Sequence, residues 1–221
     1  MLGLVGGSGL EAGIYYYRRL HQLASGCNRS LPMILIHADV GKILQFAADG
    51  DGGSLAEYLS GLIERLEHAG ATIAAIAAVT PHMCVDALRQ RASVPIVDLL
   101  EVVRREARPG KRALIVGTRT VMESRLFNSL AGMSFVELSQ DELAEVDSLY
   151  KTIVRLPEQR ELALVSLVER VRAVHRREQP DVIVVAGTDL SPSFSKGEVA
   201  DLPIVDACEL HIQAIHQRLV T

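Results

Sequence analysis

Small hydroxyl residues, each beside glycine or at the start of a helix-like stretch, mark where this chain could hold an anion. They are Ser8, with Gly7, in Gly6-Gly7-Ser8-Gly9; Thr80 in Thr80-Pro81-His82; Thr118 and Thr120 in Gly117-Thr118-Arg119-Thr120; and Thr188 in Gly187-Thr188-Asp189. Hydroxyls and the free N–H groups of a helix N-terminus, with its partial positive charge, suit a carboxylate or a phosphate. Taken singly, each hydroxyl reads equally well as a helix cap; their recurrence in matching settings favours a shared anion site. His82 and Asp189 lie within two residues of Thr80 and Thr188, which makes them the candidates for proton transfer. A histidine near a helix start and an aspartate capping a turn are the structural alternatives. Arg119 and Lys42 also lie in candidate loops and could pair with a substrate carboxylate. Two nucleotide signatures are missing: the glycine loop at 6–9 lacks the G-x-G-x-x-G spacing, and no Walker phosphate loop is present.

These loops need elements to position them. Apolar, β-branched runs at 2–5, 33–37, 73–78, 96–97, 113–116, 135–138, 182–186 and 204–205 predict strands, mostly buried on both faces as in a parallel sheet. Between them, Ser8 with Glu11, Ser54 with Glu57, Thr120 with Glu123 and Ser139 with Glu142 fit capping boxes. Thr80 before Pro81 predicts an N-cap, and Gly70 and Gly132 predict helix stops. The alternation of strand and helix predicts a doubly wound α/β fold. An internal repeat divides it. Ala78-Val79-Thr80 recurs as Ala186-Gly187-Thr188, and Pro95-Ile96-Val97-Asp98 as Pro203-Ile204-Val205-Asp206, both 108 residues on; Glu101 and Glu209 keep the offset. The expectation is two pseudo-symmetric doubly wound α/β lobes with mainly parallel sheets, 1–97 and 98–205, with an interlobe cleft at the strand ends. A last helix at 207–219 should pack on the first lobe.

Composition sets the outer bounds. The 221 residues are 48% hydrophobic and 23% charged, which suits a globular chain and excludes disorder. A net charge of −4, few aromatics and no Trp argue against nucleic acid as a partner. Arginines at 104, 105, 108, 170, 172, 176 and 177 sit near helix ends among compensating glutamates and read as solvated charge. The longest charge-free apolar stretch, 69–79, is about half a bilayer crossing, so no membrane is expected. The start, Met1-Leu2-Gly3-Leu4-Val5, does not read as a secretory signal, and a cytoplasmic location is the expectation. Cys27, Cys84 and Cys208 form neither a disulfide framework nor a zinc pattern, and Cys84 reads as inert core.

The stretches Ala78-Val79-Thr80-Pro81-His82 and Ala186-Gly187-Thr188-Asp189-Leu190, with Ile115-Val116-Gly117-Thr118 and Asp206…Glu209-Leu210-His211, resemble the aspartate/glutamate racemase superfamily across essentially the whole chain. That resemblance implies two pseudo-symmetric lobes, a carboxylate site, and chemistry that needs no cofactor. It also implies a catalytic cysteine from each lobe, near Cys-Asn-Thr-x-His and Gly-Cys-Thr-Glu-Leu. Here those two positions hold Ala78 and Gly187. The expected activity is therefore that of a racemase, isomerase or lyase on a small amino or carboxylic acid, run by His82 and Asp189 instead of thiols. The alternatives are a non-catalytic protein that binds a small carboxylate or amino acid, or one that binds a phosphate-containing ligand. A homodimer is left open.

Overall fold

The computed structural model describes every residue except 8, 108, 109, 195–198 and 221. Its contacts divide the chain into two units, Met1–Leu99 with the chain from Cys208, and Leu100–Ala207.

The first unit is built on four parallel strands: β1 (Leu2–Gly6), β2 (Met33–His37), β3 (Ile73–Ile76) and β4 (Ile96–Val97), in the order β2-β1-β3-β4. The two central strands are apolar at every position because both faces are covered. Val5, Ala74 and Ile76 face α2 (Val40–Ala48), α3 (Gly52–His68) and α4 (Val85–Arg91), whose Ile43, Leu55, Leu59, Ile63, Leu66 and Leu88 are buried against them. Leu2, Leu4, Ile73 and Ala75 face the other way, onto Tyr16, Leu20 and Ala24 of α1 (Leu10–Gly26) and the buried Cys208, Ile212 and Ile215 of the C-terminal helix, Ala207–Val220. Each large side chain so buried contributes about 1.5–3 kcal/mol. The strand at 33–37 departs from the expectation of full burial. It is an edge, with Leu35 40% exposed.

The second unit repeats the plan. After α5 (Leu99–Ala107), strands β5 (Arg112–Val116), β6 (Ser134–Phe135), β7 (Val182–Val185) and β8 (Ile204–Asp206) pair in the order β6-β5-β7-β8, again all parallel. Its helices are α6 (Arg119–Glu123), α7 (Gln140–Arg155), α8 (Arg160–Glu178) and α9 (Ser191–Phe194), and the C-terminal helix becomes α10. Identical strand order in two successive sheets is the pseudo-symmetry that the repeat announced.

Several local details differ from the sequence reading. Of the four capping boxes, Ser139 with Glu142 forms as expected at the start of α7. Ser8 lies outside the described residues. Ser54 is not a cap: Asp51, three residues earlier, accepts its N–H and starts α3. Likewise Thr118, not Thr120, caps α6, accepting from Val121. Gly70 (φ 99) does follow α3, but Gly132 (φ 82) ends a turn instead of a helix. Before it, Arg125, Leu126, Phe127 and Asn128 are all in the left-handed region. The apolar run at 135–138 pairs only through Phe135, with Val136 donating one further bond to Ala113. Among the arginines, Arg170, Arg172 and Arg177 pair with Glu145, Asp201 and Glu142; Arg108 lies outside the described residues. No helix among the described residues is long and apolar enough to cross a membrane.

Candidate functional site

In each unit the loops of interest leave the C-terminal ends of the two central strands. The last rung closes in the same way in both: Ala77 N–H donates to Val5 O at 2.9 Å, and Ala186 N–H donates to Val116 O at 2.8 Å. Ala78 and Gly187, the residues that follow, are therefore equivalent positions, 109 apart. The 108-residue offset takes over only from Thr80 and Thr188, because the second loop is one residue shorter.

In the first unit, Gly7 packs its backbone onto the end of β3 so closely that a Cβ would lie 1.9 Å from Ala77 O. Only glycine allows that approach. Past Ala78, Thr80 opens a short 3-10 turn, Thr80–Cys84, with Val79, not Thr80, in the cap position and Pro81 in the first turn. The turn buries both Thr80 and His82. His82 Nδ1 sits 2.8 Å from Ala78 O. A carbonyl only accepts, so Nδ1 carries the proton and donates, leaving the lone pair on Nε2. That Nε2 is buried and has no hydrogen-bond partner among the described residues.

Behind His82 stands His211, edge to face at 5.7 Å. Its Nε2 lies 2.9 Å from Val97 O and so donates, and its Nδ1 accepts from Tyr16 OH at 2.9 Å. Burial pushes His211 down to about 3, with His82 pushing it the same way and the Val97 carbonyl opposing. Burial also holds His82 below the ordinary imidazole range. Asp98 pulls it back up, as do hydrogen bonds to backbone, and Arg89 adds to the lowering. Asp98 and Arg89 pair at 3.2 Å. Both imidazoles are neutral at neutral pH, the state in which His82 can take a proton.

In the second unit, Thr118 Oγ1 is the cap of α6, and the N–H of Arg119 donates to Asp147 Oδ1 at 2.8 Å. Asp147 belongs to α7 and is also bound by Lys151. The N-terminus of α6 is thus already met by a carboxylate of the protein's own. Thr120 is exposed, and the Arg119 guanidinium pairs with Glu123 at 3.5 Å and Gln140 Oε1 at 3.0 Å. After β7, Gly187, Thr188 and Asp189 are all buried. Tyr150 OH donates to Asp189 Oδ2 at 3.5 Å, and Arg160 donates to Asp189 O at 2.8 Å.

The expected residues thus fall into two groups: Gly7, Thr80 and His82 with Ala78 in the first unit, and Thr118, Thr188 and Asp189 with Gly187 in the second. Thr120 points away, and Lys42 lies over the Tyr58 ring at 5.5 Å. Sequence reasoning missed the Tyr16–His211 hydrogen bond behind His82, and Asp147 and Tyr150 of α7. The last two share a helix face with Val146 and Ile153, and that i, i+1, i+4, i+7 pattern reads as plain core. The three cysteines are in the thiol form: Cys27 is exposed, Cys84 and Cys208 are buried, and burial pushes the Cys84 thiol up to about 11. Among the described residues no group of three His, Cys, Asp or Glu side chains could hold a metal ion.

The sequence pattern described as Asp/Glu/Hydantoin racemase matches residues 5–215. The chain belongs to the Asp/Glu/hydantoin racemase family. No curated protein sequence matches it. Solved structures of racemase-type proteins share its fold. A candidate Asp/Glu racemase of Yersinia pestis is 21% identical, with a TM-score of 0.79 over 100% of this chain and 99% of that one. An aspartate racemase homologue of Pyrococcus horikoshii is 21% identical, with a TM-score of 0.76 over 100% and 99%. The aspartate racemase of Picrophilus torridus is 16% identical, with a TM-score of 0.74 over 98% and 93%. Against that family background, Ala78 and Gly187 stand at matching strand ends with side chains that carry no acid or base.

Proposed function

We propose that this racemase-family chain is a cofactor-independent enzyme that moves a proton at the α-carbon of a small amino or carboxylic acid. His82 serves proton transfer in the first unit and Asp189 takes part in it in the second, in place of thiols at 78 and 187. The observation that carries the reading is the state of His82: its Nδ1–H is committed to Ala78 O, while the buried Nε2 has no hydrogen-bond partner among the described residues. A fixed tautomer with an unshared lone pair is what a general base requires.

For a substrate carboxylate the first unit offers the Thr80 hydroxyl and the Gly7 N–H, and the second unit offers the Thr188 hydroxyl. Thr118 uses its oxygen as a cap but keeps its hydroxyl proton to donate. Donors on the carboxylate stabilise the charge that spreads onto it as the α-proton leaves. Racemisation, isomerisation and loss of a neighbouring group all begin from that carbanion. The second reading, a carboxylate-binding protein without turnover, draws on Ala78 and Gly187.

The test is exchange of the α-hydrogen in heavy water, followed by NMR, with each enantiomer of aspartate and glutamate. Exchange should survive Cys27→Ala, Cys84→Ala and Cys208→Ala combined. It should fall by on the order of 10²–10⁴ in His82→Gln, the range for losing a general base. Exchange that disappears with the cysteines would overturn the assignment of His82. Binding by calorimetry with no exchange would decide for the second reading.

A further inference from the structure

At the end of β7 the backbone leaves room for a side chain that is not its own. A Cβ at Gly187 would stand 2.4 Å from Tyr150 Cε2, 3.1 Å from Cζ and 3.2 Å from the phenol oxygen. No side chain fits at 187 while that ring is in place. The ring is held there. Tyr150 is buried on the face of α7 that also buries Val146 and Ile153, and Asp147, three residues earlier, ties the helix to the Arg119 N–H. The hydroxyl is aimed by Asp189 Oδ2, whose own backbone carbonyl is fixed by Arg160. Position 187 is the equivalent of position 78, the first residue beyond the closing rung in each sheet. In the second unit the group presented there is a phenol from a helix 37 residues away in sequence.

We infer that the Tyr150 phenol takes the place of a side chain at 187 and is the proton-transferring group of the second unit. This assignment rests on the α-carbon chemistry proposed above. In the step, the phenol O–H bond breaks and its electron pair stays on oxygen, while the deprotonated α-carbon uses its own pair to form the C–H bond. Solvent then returns a proton to the phenolate. Asp189 acts through Tyr150: it accepts the phenol's hydrogen bond at rest and is a positioning residue. Gly187 follows as a steric requirement of the same arrangement.

Tyr150→Phe keeps the ring and removes only the hydroxyl, so the fold should survive. Exchange with aspartate or glutamate should fall by on the order of 10²–10⁴ through kcat, with KM changed by less than about threefold and the melting temperature held. Exchange in the variant at wild-type rate, or a loss confined to KM, would overturn the assignment while leaving the α-carbon chemistry intact. If the wild type exchanges none of the four amino acids, that chemistry fails and the placement of the phenol is judged by binding. The chain has five Tyr and no Trp, so its intrinsic emission reports tyrosine. Titration with the same four amino acids should change that emission in the wild type and not in Tyr150→Phe. No change in the wild type, or the same change in both, overturns the placement as well.

Discussion

Protonation of His211 would put a charge where nothing can solvate it. The ring is fully buried, Tyr16 OH occupies Nδ1, and Nε2–H is committed to Val97 O. The charged or titratable groups around it are Tyr16 from α1 and His82 from the 3-10 turn, with the Asp98–Arg89 pair beyond His82. Its value is about 3, against 6.5 for a solvated histidine. A histidine depressed in this way adds nothing to the pH dependence above about 6.5, where both folded and unfolded forms are neutral. Below that, the unfolded chain takes the proton and the folded one does not, so stability is lost as pH falls, down to about 3. Each pH unit in that window costs about 1.4 kcal/mol. Between pH 7.5 and 4.5 the loss from this one group is about 3 kcal/mol, a large part of the ~5–15 kcal/mol that holds most domains folded. His211→Asn removes the titration and keeps an amide in its place. Urea unfolding at both pH values should show the wild type losing about 3 kcal/mol more than the variant, since carboxylates and His82 titrate in both. Equal losses would refute the reasoning.

Two further outcomes are expected. Gly7→Ala sets a Cβ 1.9 Å from a backbone oxygen, which cannot swing aside as a side chain would, so a loss of about 3 kcal/mol or more in denaturant unfolding is expected. A variant as stable as the wild type would show that the loop can move. An aromatic disulfide at pH 8 should label one thiol quickly in the native chain, exposed Cys27, and all three after denaturation. Cys84, pushed up to about 11, is about a thousandth thiolate at that pH, and Cys208 is buried. Labelling of Cys84 at the rate of Cys27 would contradict its burial.

What could be read in advance depended on how far apart the interacting residues lie in sequence. Ser139 and Glu142 cap one helix within four residues, and they were legible. Ser54 with Glu57 has the same spacing and failed, since Asp51 stands one turn earlier and competes for the same end. Thr118 and Thr120 posed the same choice. The duplicated Pro-Ile-Val-Asp exposed the second sheet because each copy enters the fourth strand of its sheet. By contrast, Tyr16 and His211 meet across 195 residues, and Tyr150 meets Gly187 only once α7 has been laid on the strand ends. The missing Cβ at 187 is visible in the sequence, but what fills its place is not.

The first unit has a consequence for how the chain is made. Leu2, Leu4, Ile73 and Ala75 are synthesised early, yet the sheet face they form is completed by Cys208, Ile212 and Ile215. Between Leu99 and Cys208 the ribosome must produce the whole of Leu100–Ala207, a contiguous unit that emerges with all its strands. The half begun first is therefore the half finished last, reversing the usual N-to-C order of domain folding. Throughout that interval an apolar sheet face lacks part of its cover, and a nascent chain interrupted before α10 would carry that face uncovered as a sticky surface.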